Sequence, residues 1–504
     1  MPLFLLLAAG CLSTSGIVLE IDDGDIVPAD DDAGRLAMAD AGLDGSEWFA
    51  TGDTGLADGG GDRLLWAWTD GTDRDDRPTA IAMADDGRVL VGGYLGAAPG
   101  GDVEQTAELI SLWPDGSTQW RTVLATAGAS LVIDEIHPTA DGGAWVCATD
   151  RTSATLAPTP GDVPESWSRV LTAIRVDTSG RVGAVTRLSV TEGGELAAGC
   201  GRDAAGALVI DGSLRSGELQ LVADGVPVTL TDFGQHGFVV SLDDDGGLRS
   251  ASTWRTGSQR RQAGAVRPDG SVVQLLRYAG DPGIGAGGRF LTPCPGSEVC
   301  TGLLVVDPEG LPTWTATLGP GVGADAHLAS TADGGLLLAA DIGESTQLPQ
   351  ADGDPVVDRA GGSIIAAWSP DLVLDWLVHL SEEAQITALH PTPDGPVWVG
   401  LWTDDAATLQ VGDGEIPVDD SGATIALARI DGDGHTDWMW SAAGGGTAWP
   451  TALAGTRETA AIAAVYRGAV VAALGGDEVR LDSLSTDSGL STNDIAVVLL
   501  DAGD

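Results

Sequence analysis

Residues 386–440 read ITALHPTPDGPVWVGLWTDDAATLQVGDGEIPVDDSGATIALARIDGDGHTDWMW. The stretch divides into an apolar run, an Asp394-Gly395 turn, a second apolar run, a variable loop, a third apolar run, an Asp433-Gly434 turn, and a run carrying Trp438 and Trp440. Asp-Gly between two short apolar runs is a hairpin signal, because Gly accepts the positive φ of a tight turn. Two such hairpins joined by a loop predict one four-stranded antiparallel sheet.

Working outward, the same unit recurs seven times at a period of about 60 residues, which marks a repeat architecture. Its first half appears at 79–93, 133–148, 195–211, 263–276, 326–341, 386–400 and 451–466. The turn glycines are Gly87, Gly142, Gly206, Gly270, Gly334 and Gly395, and Arg457-Glu458 stands in their place in the seventh unit. The second half starts near Leu109, Leu171, Phe238, Leu303, Ile364 and Ile425. Trp120, Trp314 and Trp438 fall four residues after their turn Gly, and Trp376 falls in register. A Trp at a fixed offset reads as packing between adjacent sheets. The seventh copy, DIAVVLLDAGD at 494–504, lacks a fourth strand. An orphan fragment at 61–70, GDRLLWAWTD, supplies it, with Trp66 and Trp68 matching Trp438 and Trp440. The expectation is an all-β, seven-bladed β-propeller of four-stranded antiparallel blades, closed when the N-terminal strand completes the last blade, near Val497–Leu500.

These repeats resemble the bacterial SBBP-type (seven-bladed β-propeller) repeats of secreted proteins and lipoproteins. The resemblance runs from about residue 61 onward and is best over 400–446. It is uneven: units two and three lack the Trp, and unit four carries a loop with two Cys. It implies fold and surface placement, and no common activity.

The chain has 504 residues and a formal net charge of −49; its 25 basic residues are all Arg. Such a polyanion repels nucleic acid, which excludes that partner. Residues 1–11, MPLFLLLAAGC, resemble a bacterial lipoprotein signal peptide (1–10) with Cys11 as the lipid-attachment residue. With Leu12 rather than Asp after the Cys, the resemblance implies the outer membrane, facing the periplasm or the outside. Residues 11–60, rich in Asp and Gly, read as a disordered acidic tether, leaving 61–504 for the propeller. In an oxidising compartment, Cys294 and Cys300 suit a local disulfide. Cys147 and Cys200 lie in neighbouring units and are candidates for a second, with buried free thiols as the alternative.

Chemistry is scarce. No nucleophile, metal-protease, P-loop or dinucleotide motif is present. His137 and His390 share one repeat position, which reads as homology rather than a site. Asp431, Asp433 and Asp437 resemble the start of a calcium loop without its distal Glu, and a plain hairpin turn explains them too. The expectation is therefore a non-enzymatic, monomeric, cofactor-free binding or scaffold module for a protein or polysaccharide, attached to the membrane through its lipid alone. Its rivals are a carboxylate-based carbohydrate hydrolase or lyase and an outer-membrane assembly factor.

Overall fold

A computed structural model describes residues 63–502, apart from 71–74, 98–105, 126–130, 151–169, 191–193, 224–225, 232–234, 256–258, 284, 287–288, 295–297, 324, 344–345, 350–355, 358–361, 382–383, 404–407, 418–423, 444–446, 468, 475–476 and 483–493. The expected signal peptide, Cys11 and the expected tether lie outside these residues. All secondary-structure elements among the described residues are strands. They form seven four-stranded antiparallel blades. Blade 1 comprises Asp75–Met83, Val89–Ala97, Thr106–Leu112 and Thr118–Ala125. Blades 2 to 6 follow in chain order and open with Leu131–Pro138, Leu196–Arg202, Gln259–Val266, His327–Ser330 and Gln385–Pro391. Blade 7 is Thr447–Gly455, Thr459–Arg467, Asp494–Asp501 and, as its outer strand, Arg63–Asp70. The first strands of successive blades touch all the way round, blade 7 to blade 1 included, so the ring is closed.

The closing strand sits where the sequence puts it. Trp66 pairs with Leu499, Ala67 with Val498 and Trp68 with Val497. A bulge between Leu64 and Trp66 leaves Leu65 out of the ladder, and Leu65 is exposed. Alternation along the strand puts Trp66 and Trp68 on one face, where both are buried between blades 7 and 1, and the bulge turns Leu64 with Ala67 toward the core on the other.

Twelve hairpins share one turn. At Ala84–Arg88 the Ala84 N–H donates to the Arg88 carbonyl and the Gly87 N–H to the Ala84 carbonyl; the same pair of bonds recurs at 113, 139, 177, 203, 243, 267, 307, 331, 369, 392 and 431. The next-to-last turn residue has positive φ and is Gly in all but one. The exception, Leu372 at φ 62°, is buried in the core between blades 4 and 5, so its apolar burial offsets the backbone strain. Many turns open with Asp, whose carboxylate accepts the N–H groups two and four residues on: Asp177 from Ser179 and Arg181, Asp243 from Asp245 and Gly247, Asp431 from Asp433 and His435. Much of the acidity therefore serves turn geometry.

The recurring Trp joins blades. Trp66 Nε1–H donates to the Pro114 carbonyl at 2.8 Å, and Trp120 Nε1–H to the Thr178 carbonyl at 3.0 Å, each in the outer turn of the following blade. The turn glycine seats the ring: a Cβ on Gly116 would stand 3.0 Å from Trp66, one on Gly180 2.8 Å from Trp120, one on Gly434 3.0 Å from Trp376. Where the Trp is missing, other side chains take over. Thr186 of blade 2 donates to the Gly246 carbonyl at 3.0 Å, and Ser252 of blade 3 to Glu309. Arginines brace the inner turns the same way, Arg88 to the Gly142 carbonyl at 2.8 Å and Arg267 to the Gly334 and Pro370 carbonyls, both at 2.7 Å.

Candidate functional site

Antiparallel order puts every first-to-second and third-to-fourth turn on one face of the ring. The second-to-third connections and the links between blades leave from the other. The two faces differ in kind. The turn face is built from one repeated short hairpin, cross-braced between blades as above. The second-to-third connections vary instead, from 98–105 in blade 1 to 215–235, 279–299, 343–361, 404–423 and 468–493 in later blades. Among the described residues, five of them contain an added hairpin. Leu219–Ala223 pairs onto the outer edge of blade 2, and Ala469–Leu474 onto that of blade 6, so each inserts on the blade before its own. The hairpin Thr408–Val411/Gly414–Pro417 lies against blade 6, with Thr436 Oγ1 donating to the Val411 carbonyl at 2.6 Å.

On the turn face, blades 6 and 7 enclose a cleft of about 240 Å³, lined by Asp394, Pro396, Arg429, Asp431, Gly432, Asp437, Arg457 and Glu458. Its position follows from closure. The fourth strand of blade 7 comes from the other end of the chain, so this blade has no outer turn to pack against blade 6. Arg429 spans the cleft wall: Nε donates to Asp437 Oδ1 at 2.8 Å, Nη1 to the Arg457 carbonyl at 2.9 Å, and the guanidinium lies 5.6 Å from the Trp398 ring centroid. Two of the three calcium candidates, Asp431 and Asp437, are thus engaged within the protein. Asp431 holds two turn N–H groups, Asp437 holds Arg429, and Asp433 is an exposed turn residue.

A second polar group is buried between blades 3 and 4. Arg261 makes two bonds to Asp211, at 2.6 Å and 3.0 Å, and Gln274 Nε2 donates to the same carboxylate at 2.9 Å. Burial pushes the Asp211 carboxyl above its ordinary range, against the pull of Arg261. A Cβ on Gly199 or Gly264 would meet the Arg261 side chain at 2.3 Å and 2.5 Å, so glycine makes the room. With Asp211 1% exposed, no polymer reaches this pair, and it acts as a strut.

Cys294–Cys300 and Cys147–Cys200 are disulfides, with Cα–Cα separations of 5.6 Å and 6.5 Å; the second ties blade 2 to blade 3. His390 contacts the Gly455 carbonyl of blade 7 at 3.1 Å, a staple between inner strands. His137, at the same repeat position, lies instead 3.3 Å from Glu135, beside the Cys147–Cys200 bridge. Sequence reasoning offered Cys147 and Cys200 as a pair but had no means to bring Glu135 and His137 to them. A bulge between Ile133 and Glu135 sets which face Glu135 and His137 share, and it has no sequence mark.

No protein-family model and no curated protein matches the chain. Among solved structures, an ulvan lyase of a new polysaccharide lyase family is similar over 84% of this chain and 100% of its own, at 10% identity and TM-score 0.40. A Bacteroides caccae protein of unknown function is similar over 66% and 89%, at 12% identity and TM-score 0.33. A glycoside hydrolase of family 32 from Bifidobacterium adolescentis is similar over 85% and 80%, at 12% identity and TM-score 0.25. Likenesses this distant carry no functional argument, which has to come from the chain's own residues.

Proposed function

We propose that the protein is a binding or scaffold module of the cell envelope, a lipid-anchored propeller of the SBBP type that takes a protein or polysaccharide partner. One observation carries this: the contrast between a turn face of uniform, cross-braced hairpins and an opposite face whose seven connections differ in length and content. A rigid frame presenting variable connections suits recognition, because the frame fixes positions while the connections change chemistry. The partner docks on the face bearing those connections.

The test compares two full-length variants. In one, 98–105 and 151–169 are replaced by short Gly-Ser links; in the other, the turn-face residues Asp85, Asp244 and Asp245 become Ser. The partner is first captured by wild-type protein from solubilised envelopes and then purified. Its affinity should fall at least tenfold for the first variant and hold for the second, with melting temperatures unchanged. The opposite pattern refutes the docking face. Anchoring is tested separately: Cys11→Ser should move the protein out of the membrane fraction, and unchanged retention would refute lipidation.

The acidic cleft between blades 6 and 7 favours a second reading, a carbohydrate hydrolase or lyase using carboxylates. It requires new reducing ends or unsaturated products from a polysaccharide panel, lost in Asp394→Asn or Glu458→Gln.

A further inference from the structure

Between blades 2 and 3, one ring nitrogen of His137 and the sulfurs of Cys147 and Cys200 all lie within 4.8 Å of one another. These are a borderline nitrogen ligand and two soft sulfur ligands, the set that selects zinc or copper(I) over calcium or magnesium. We propose that this cluster is a redox-switched metal site: closed while Cys147–Cys200 is a disulfide, and a three-ligand site for a thiophilic cation once the bridge is reduced.

The surroundings fit a built site. Cys147 is fully buried and Cys200 is 7% exposed, and both belong to the apolar core shared by blades 2 and 3. The backbone on both sides is held by strand ladders, Cys147 to Glu135 and Ala173, Cys200 to Ile210. Opening the bridge therefore leaves the two sulfurs facing each other. The His137 side chain is 25% exposed, so the cluster has a wet side through which an ion enters. Glu135 Oε2 accepts the Cys200 N–H at 2.9 Å and stands 3.3 Å from His137 Nε2. A carboxylate on one ring nitrogen fixes the tautomer and orients the other nitrogen toward a metal. His390 shows what this repeat position does elsewhere, stapling to the next blade's backbone. His137 is held toward the sulfurs instead. Three protein ligands leave a fourth position for water, an open tetrahedral site.

The switching step balances with a phosphine as reductant. The phosphorus is oxidised to phosphine oxide, taking oxygen from water, and the S–S bond gains two electrons and two protons to give two thiols. Metal binding then releases both thiol protons and makes two metal–sulfur bonds. In the envelope, a dithiol reductant would play the phosphine's part and leave as a disulfide.

The test uses the full chain with Cys11, Cys294 and Cys300 replaced by Ser, so that the remaining cysteines are the pair in question. Cobalt(II) and zinc(II) are titrated into oxidised and phosphine-reduced protein. The reduced form should bind one cobalt(II), with an intense sulfur-to-metal absorption band that zinc bleaches. The oxidised form should show no such band. His137→Ala should weaken binding at least tenfold, and Glu135→Gln by about 10–100-fold, the usual effect of losing an orienting partner. The fold is checked by the far-ultraviolet spectrum, and His137 is partly exposed, so its removal is tolerated. No stoichiometric band on reduction, equal binding by oxidised protein, or full affinity in His137→Ala would each overturn the proposal.

Discussion

Trp66→Ala tests the closure of the ring at its most sensitive point. Trp66 lies on a strand that belongs to blade 7 only by pairing, since the chain between it and Asp494–Asp501 runs through the whole ring. The side chain is 3% exposed, and removing a buried Trp costs about 3–5 kcal/mol. Losing its bond to the Pro114 carbonyl adds about 1 kcal/mol. Against a domain stability of about 5–15 kcal/mol this is a large share. Trp66→Phe keeps most of the apolar area and loses the bond, so it should cost about 1–2 kcal/mol. Urea unfolding followed by far-ultraviolet circular dichroism measures both. Hydrogen exchange locates the effect: the amides of 495–501, the strand that pairs with the closing strand, should lose protection ahead of those in blades 2 to 5. Deleting 61–70 should go further and expose the edge of IAVVLL at 495–500, giving aggregation. A loss below 1 kcal/mol in Trp66→Ala, with exchange at 494–501 unchanged, would refute closure by this strand.

Three further outcomes follow from the braces between and within blades. Replacing Cys147 and Cys200 by Ser should cost about 4 kcal/mol from the loop entropy of a 53-residue separation, against about 2 kcal/mol for Cys294 and Cys300, separated by 6; calorimetry of the two double variants gives the order. Burial holds the His390 imidazole below its ordinary value of 6.5, so its contribution to stability is present above pH 6.5 and lost as pH falls below it. His390→Gln should flatten the melting-temperature profile between pH 7 and 5 relative to wild type, and parallel profiles would count against the staple. Arg267→Lys replaces two carbonyl bonds by one point charge and should cost about 1 kcal/mol, whereas a surface Arg with no such bonds should tolerate the change.

The repeat unit, its turns and the closing strand were legible because each is local. An Asp-Gly pair between apolar runs states its hairpin, and Trp66 and Trp68 announce their blade by matching Trp438 and Trp440. The role of the Trp was legible only as packing. That its indole reaches the following blade's turn, over a glycine that would otherwise collide with it, needs the ring to be assembled. Trp145 and Trp398 show the limit more clearly. Both follow a turn Gly by three residues and both are fully buried, yet only in the ring does Trp398 meet Trp438 edge-on, with centroids 5.2 Å apart. The candidate sites were less legible still. The cleft exists because a turn is missing at the seam, and an absence of that kind leaves no residue to read. The Glu135, His137, Cys147 and Cys200 group depends on a bulge and on the stacking of two blades.

The composition acquires a structural reason from the same braces. A chain with no Lys looks like a matter of codon usage until the arginines are placed. Arg267 reaches two carbonyls in one neighbouring blade, Arg429 reaches a carboxylate and a carbonyl while lying over an indole, and Arg261 grips one buried carboxylate with two nitrogens. Each task needs several donors in a fixed plane, which an ammonium group does not offer. Aspartate is the complement: placed first in a turn, it accepts two backbone N–H groups and leaves its charge at the surface. A ring assembled this way gathers acid on the turn face as a by-product of folding. The net charge of −49 is then poor evidence for a cationic ligand there, and the opposite face, whose connections differ in length from blade to blade, is the one free to vary.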